Sequence, residues 1–144
     1  MAIQQGITNS FKQEMIQAGQ NLATDTLKMA LYTAFSDIGQ LTTIYTTTNE
    51  VTGTGYTAGG VVMTGVTIST QTTGPYAGTV YVDFNNVSWP GAGFTARGAL
   101  IYNVTRSNKS VAVLDFGSDK IFSSVNNTVT MPENTATTAL IRFP

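Results

Sequence analysis

The fold of this chain is decided by the stretch LKMALY at residues 27–32, where side chains begin to alternate with a period of two. Leu27, Met29 and Leu31 fall on one side of the alternation, which is typical of a strand with a buried face. The same period recurs at residues 62–68, 79–84, 95–102, 110–116, 128–131 and 139–143. Turn-forming pairs such as Gly74-Pro75 and Asn126-Asn127 separate these runs. The sequence therefore predicts a succession of short strands.

These strands predict an all-β chain. No second helical pattern is present to supply the crossovers of a parallel sheet, so we expect an antiparallel β-sandwich of the jelly-roll type. A length of 144 residues suits a single domain spanning residues 1–144. We assign residues 1–24 to an N-terminal arm and helix, and residues 25–144 to the sandwich. Residues 37–60 form a long loop within it, with residues 42–48 as a further edge-strand candidate.

One amphipathic helix is predicted near the N-terminus. Its stripe runs Ile7, Phe11, Met15, Ala18 and Leu22, at spacings of three and four residues. A capping box of Ser10 with Gln13 and a stop at Gly19 are expected to bound it. We expect its apolar face to cover an open end of the sheet; docking on a neighbouring subunit is the alternative.

Composition excludes several classes of function. Cysteine and histidine are both absent, which removes disulfides, thiolate and imidazole metal ligands, and the Ser-His-Asp triad. Net charge is -1 with 10% charged residues, so no basic footprint for nucleic acid or anionic lipid is expected. No apolar run approaches a membrane span, and the first residues lack a signal-peptide pattern, so we expect synthesis in the cytoplasm. The low charge fits an assembly subunit, or equally an ordinary Thr-rich β-domain.

The segment from Thr46 to Gly60, TTTNEVTGTGYTAGG, has the most distinctive sequence in the chain, and we call it the Thr/Gly segment. Its glycines superficially suggest a phosphate cradle, but no Gly-Lys-Ser or Gly-Lys-Thr follows, and a strand rather than a helix comes next. A small-molecule ligand and a cofactor are therefore not expected. We interpret the segment as a loop that contacts a partner. The contact candidates are Thr48, Glu50, Thr54, Gly55, Tyr56, Gly59 and Gly60, with Phe11 and Arg97 outside the segment.

Two other groups of residues are of types that can carry chemistry. Asp115 and Asp119 match no calcium-loop spacing, and we expect them at a strand end followed by a turn. No metal site is therefore predicted. Five aromatic residues are candidates for a sugar-binding platform, although a strand position such as Tyr81 and a packed corner at Trp89 favour structural packing for those two. The five are Tyr45, Tyr56, Tyr76, Tyr81 and Trp89.

Several blocks of the sequence resemble a known family. They are KMALYT at 28–33, YTTTNEVTGTGYTAGG at 45–60, FTARGALIYN at 94–103 and VAVLDFGSDK at 111–120, with NSFKQE at 9–14 and ALIRF at 139–143 in support. In their order and their sequence, these blocks resemble small virion structural proteins of tailed bacteriophages. The resemblance extends over nearly the whole chain.

That resemblance implies a capsid cement or decoration protein with a jelly-roll fold and no enzymatic activity. It implies a location in the virion, on the outside of the capsid where major capsid subunits meet, and self-association as a dimer or a trimer. A tail or head-fibre component that binds carbohydrate is the alternative. Arg97 and Glu50 are the charged contact candidates, each of which has internal pairing as its alternative role.

Overall fold

A computed structural model gives the structure and describes residues 2–144. It is mostly β, with one short helix, as the sequence predicts. The helix is α1 (Asn9–Ile16). The strands are β1 (Gly6–Ile7), β2 (Leu27–Tyr32), β3 (Val61–Val62), β4 (Thr67–Thr70), β5 (Val80–Asp83), β6 (Val87–Ser88), β7 (Phe94–Asn103), β8 (Lys109–Phe122), β9 (Thr128–Val129) and β10 (Ile141–Phe143).

The strands form three antiparallel sheets. The largest has the order β1-β8-β7-β2-β3, the second has the order β10-β5-β4, and β6 pairs with β9. The two long strands β7 and β8 lie side by side, with register shifts between Ala96 and Gly98 and between Ile101 and Tyr102. They form the centre on which the rest of the chain packs.

Both faces of the five-stranded sheet are buried. On one face, Met29 and Leu31 join a cluster that includes Phe11 of α1, Val82 of β5 and Ile141 of β10. On the other face, alternate residues of the same strands join a second cluster with the N-terminal arm and the long loop. Its members are Ile3, Ala30, Tyr32, Ile38, Leu100, Tyr102 and Val113, with Tyr45 packed against them. The long loop is therefore a cover for the chain's own sheet.

The helix is shorter than predicted. Ile7 pairs with Ala112 in a β-ladder, so the helix cannot begin there. Thr8, and not Ser10, is the N-cap: its hydroxyl accepts a hydrogen bond from the Phe11 amide at 3.3 Å. The helix ends at Ile16, before Gly19. The stripe from Ile7 to Leu22 thus spans a strand, a helix and a loop; Ile7, Phe11, Met15 and Leu22 face one core, whereas Ala18 is exposed.

Other predicted boundaries also change. The run at 62–68 is interrupted because the chain changes sheets there: Val61 and Val62 pair with β2, whereas Thr67–Thr70 pairs with β5. The run at 110–116 continues to Phe122, so the predicted strand end at Asp115 is wrong. The strand bulges out of register between Asp115 and Lys120, and the Gly117 amide donates to the Asp115 carboxylate at 2.9 Å, which is the turn role expected for that residue. Residues 42–48 form no strand and contribute one isolated bridge, Ile44 to Lys109.

Candidate functional site

The Thr/Gly segment is organised around the carboxylate of Glu50, which is only 8% exposed. Tyr45 donates its hydroxyl proton to Oε2 at 2.7 Å. Tyr56 donates to Oε1 at 2.7 Å, and the Gly59 amide donates to the same oxygen at 2.7 Å. We call Glu50, Tyr45, Tyr56 and Gly59 the Glu50 cluster. Three donors satisfy this buried carboxylate without a cation in direct contact, so its place in the fold depends on all three.

The Glu50 cluster fastens the Thr/Gly segment to the five-stranded sheet. The Tyr56 hydroxyl also accepts a hydrogen bond from the Leu31 amide of β2 at 2.9 Å. Tyr102 of β7 donates to the Gly59 carbonyl at 2.7 Å, and its ring stacks on Tyr45 with centroids 4.6 Å apart. These contacts cross from the segment to two central strands. The segment is therefore an integral part of the domain.

The surroundings of Glu50 keep nearby phenols protonated. Burial is the largest cause that raises the pKa of Tyr45 and Tyr56, followed by their hydrogen bonds to Glu50. Burial, followed by the charge of Glu50, raises the pKa of Tyr32 and brings that of Tyr102 to about 12. A neutral phenol is a donor to the carboxylate, whereas a phenolate would repel it. Tyr45 and Tyr56 consequently stay protonated and act as hydrogen-bond donors, whereas a general base must accept a proton.

Alkaline pH is expected to unfold the domain through these phenols. Their folded pKa values lie above the value of about 10 for an unfolded tyrosine, so their stabilisation is complete below pH 10 and is lost as pH rises towards the folded values. Each such tyrosine contributes a slope of about 1.4 kcal/mol per pH unit in that window. Urea unfolding at pH 9, 10 and 11 measures the slope. The Tyr45→Phe variant should show a shallower slope. An unchanged slope would show that ionisation of Tyr45 does not contribute to the loss of stability at alkaline pH.

The contact candidates divide into exposed and buried residues. Thr48, Thr54 and Gly55 are exposed, and they remain available to a partner. Tyr56 and Gly60 are half-buried, whereas Glu50 and Gly59 are buried within the Glu50 cluster. The structure thus brings together Glu50, Tyr56 and Gly59, for a reason internal to the fold.

Phe11 and Arg97 also have internal roles. Phe11 is completely buried beneath α1, so it is a core residue and not a contact residue of the folded domain. Arg97 reaches Asp115 at 3.6 Å and Asp119 at 3.7 Å across the β7–β8 ladder. The alternative expected for Arg97 and Glu50, pairing within the domain, is the arrangement observed for both.

Two further ion pairs form within the chain. Lys109 lies 3.2 Å from Glu14, and the Arg106 Nε donates to Asp25 at 2.8 Å. Burial pushes the pKa of Asp25 up, but hydrogen bonds from Arg106, the Asn21 amide and Asn103 outweigh it and hold that pKa at about 2. These pairs, in a chain with only 10% charged residues, leave the surface poor in charge.

Large apolar side chains project from this charge-poor surface. Ile16 is 88% exposed, Phe35 81%, Leu41 84% and Val125 94%. The strand and helix patterns did not identify these residues as surface features. Their sequence signal is position: Ile16 falls off the apolar stripe of the helix, Leu41 falls in the stretch at 37–60 that lacks a strand period, and Phe35 lies between that stretch and the run at 27–32.

Among residues 2–144, no group of three or more acidic, histidine or cysteine side chains is placed to hold a metal ion. Over the same residues, no helix is long and apolar enough to cross a membrane. No family model, curated protein or solved structure matches the chain.

Proposed function

We propose that this chain is a structural protein of a tailed-bacteriophage virion, which binds the outside of the assembled capsid and stabilises the lattice as a cement or decoration protein. The resemblance of the blocks at 28–33, 45–60, 94–103 and 111–120 suggests the family. The structural observation that carries the proposal is the charge-poor surface with projecting apolar side chains, described above. Such a surface suits a protein whose function is to be buried against a partner.

The energetics of association favour this kind of surface. Burying an unpaired charge costs several kcal/mol, and interface centres are depleted in charged residues for that reason. Here Arg97, Arg106 and Lys109 are already matched with carboxylates inside the chain. Phe35 and Leu41 are therefore able to bury their apolar area against a partner at a low desolvation cost.

The exposed part of the β2–β3 connection, residues 33–60, which contains the long loop, is the proposed lattice contact. Phe35, Leu41, Thr48 and Thr54 are exposed, while Glu50 holds the loop in place from beneath. A loop that is ordered before binding loses less conformational entropy when it docks. The Glu50 cluster thus supports the contact surface indirectly, by fixing the backbone that carries it.

The mechanism needs no active site. A cement protein that binds the assembled lattice better than free subunits stabilises the lattice by mass action, and simultaneous contacts with several subunits multiply the effect. The partners are the major capsid protein and further copies of this chain, as a dimer or a trimer. We also propose that the five-stranded and three-stranded sheets are the layers of a jelly-roll sandwich, because Met29 of one and Val82 of the other share a core cluster.

A carbohydrate-binding tail or head-fibre component remains the alternative. It has less support, because most of the candidate aromatic rings are not exposed. Trp89 is 2% exposed and packs edge-on against Phe122, which confirms the packed corner. Tyr45 and Tyr56 are held by Glu50. Of the five aromatic candidates, Tyr76 is the most exposed.

Heat release of the genome from particles tests the cement role. Shells of the encoding phage are prepared without this chain and then supplied with the purified chain. We expect the supplied shells to retain DNA to a higher temperature, and the Phe35→Ser/Leu41→Ser double variant to bind less. Val125→Ser is a control of matched exposure outside the long loop. Failure of the chain to bind the shells would contradict the proposal.

A further inference from the structure

A second apolar surface lies between the helix and the free edge of the three-stranded sheet. A cavity of about 590 Å³ is lined by Ile7, Met15, Val80 and Phe143. A neighbouring cavity of about 370 Å³ shares Met15, Val80 and Phe143 with it. Together they form one continuous depression, which we call the α1–β10 groove. Its floor is formed by partly exposed side chains, of which Ile7, Met15 and Phe143 pack on the core.

The rim of the groove at the larger cavity is basic. Lys12 of α1 and Arg142 of β10 line that cavity, both are exposed, and no carboxylate is among its lining residues. Their nearest polar contacts are neutral: Lys12 donates to the Asn9 side chain, and Arg142 to the Thr137 carbonyl. Lys12 and Arg142 thus give this rim a local positive charge in a chain whose net charge is -1.

This charge decides between two occupants. A second copy docking through the same groove about a two-fold axis would bring two Lys12 and two Arg142 side chains together, with no carboxylate in the lining to pair them. A segment of another protein with an apolar side chain and flanking carboxylates would match both the floor and the rim. Charge complementarity therefore favours an acidic partner over self-association at this groove.

The edge of β10 indicates the form of that segment. Among the described residues, β10 pairs with β5 alone and is the end strand of its sheet. A free strand edge offers backbone donors and acceptors to an added extended chain, which places alternate side chains into a neighbouring pocket. A small amphiphile would use the apolar floor and the cations but would leave these backbone groups without a match.

We propose that the α1–β10 groove binds an extended, acidic segment of a partner protein, with a large apolar side chain on the floor and carboxylates beside Lys12 and Arg142. This proposal rests on the residues of the groove and does not depend on the proposed capsid role. If the chain is a capsid protein, as proposed above, the segment belongs to a virion partner.

Peptide titration of the ¹⁵N-labelled full chain tests the proposal. The probes are two capped hexapeptides with leucines at alternate positions, one with glutamates between and beside them and the other with lysines there. We expect the glutamate peptide to shift the amide signals of residues 12–16 and 141–143, and to bind about tenfold more tightly than the lysine peptide. Raising the ionic strength should reduce that difference.

Variants and competing ligands complete the test. Lys12→Glu with Arg142→Glu should abolish the preference for the glutamate peptide, whereas Val125→Glu, an exposed apolar site outside the groove, should leave it unchanged. Equal binding of both peptides, shifts away from the groove, binding of dodecyl phosphate without binding of either peptide, or dilution-dependent shifts of the groove amides in the free chain would each overturn the proposal. The peptide comparison on the unmodified chain stands even if the double variant does not fold. Binding to shells is measured separately, so the groove and the cement role can fail independently.

Discussion

Replacing Gly60 with alanine is expected to destabilise the domain by about 4 kcal/mol or more, the range reserved for severe core lesions. A Cβ at this position would lie 1.8 Å from the Met29 carbonyl oxygen and 2.6 Å from its carbon, both of which are backbone atoms of β2. Gly60 also has a φ of +75°, which alanine adopts only with strain. Relieving this clash would require separating β3 from β2. Urea unfolding of the variant measures the loss.

Gly91 provides a control of matched conformation. Its φ is +71°, close to that of Gly60, but no atom outside its two chain neighbours lies within 4 Å of the Cβ that alanine would add. Gly91→Ala should therefore cost only the strain of the left-handed conformation, about 1 kcal/mol. Similar losses for the two variants would show that the close approach to Met29 is not what requires glycine at position 60.

Replacing Glu50 with alanine is expected to cost about 3 kcal/mol or more of unfolding free energy. The change removes the acceptor for the hydroxyls of Tyr45 and Tyr56 and for the Gly59 amide, which then lose their partner in a buried site. Each unsatisfied buried donor costs about 1–3 kcal/mol. Thermal unfolding followed by near-ultraviolet circular dichroism reports both the stability and the packing of the tyrosines.

Glu50→Gln is the matched variant, with the same shape and no charge. Its amide oxygen can accept from Tyr56 and Gly59, and its amide nitrogen can donate to Tyr45 once that hydroxyl reverses. We therefore expect a loss of about 1 kcal/mol. If glutamine were as damaging as alanine, the negative charge rather than hydrogen-bond satisfaction would be the essential property of Glu50.

The sequence predicts the strands well where one periodic run stays in one sheet. β2 has the predicted bounds, Leu27–Tyr32, and β7 extends the predicted run at 95–102 by one residue at each end. It predicts boundaries poorly at 62–68, where the chain passes from one sheet to another, and at Ile7, where a strand precedes the helix. Periodicity shows which side chains are buried and not which strand receives the backbone hydrogen bonds.

The Thr/Gly segment shows the same limit at the candidate site. Its composition correctly indicates close backbone approach, but the backbone approached by Gly60 belongs to the chain's own Met29. Tyr56 is likewise an anchor, to Glu50 and the Leu31 amide within the domain. Composition alone does not distinguish an internal from an external partner, because both need glycine, hydroxyls and an aromatic ring.

We propose that the chain is a cement protein on the capsid surface. Electron cryo-microscopy of virions that contain the chain, at a resolution that traces the main chain, tests this proposal, since the β7–β8 pair and α1 make the fold recognisable in density. We expect copies at regular positions over the outside of the shell, with Phe35 and Leu41 against capsid subunits. Density for the chain at the tail tip alone would contradict it.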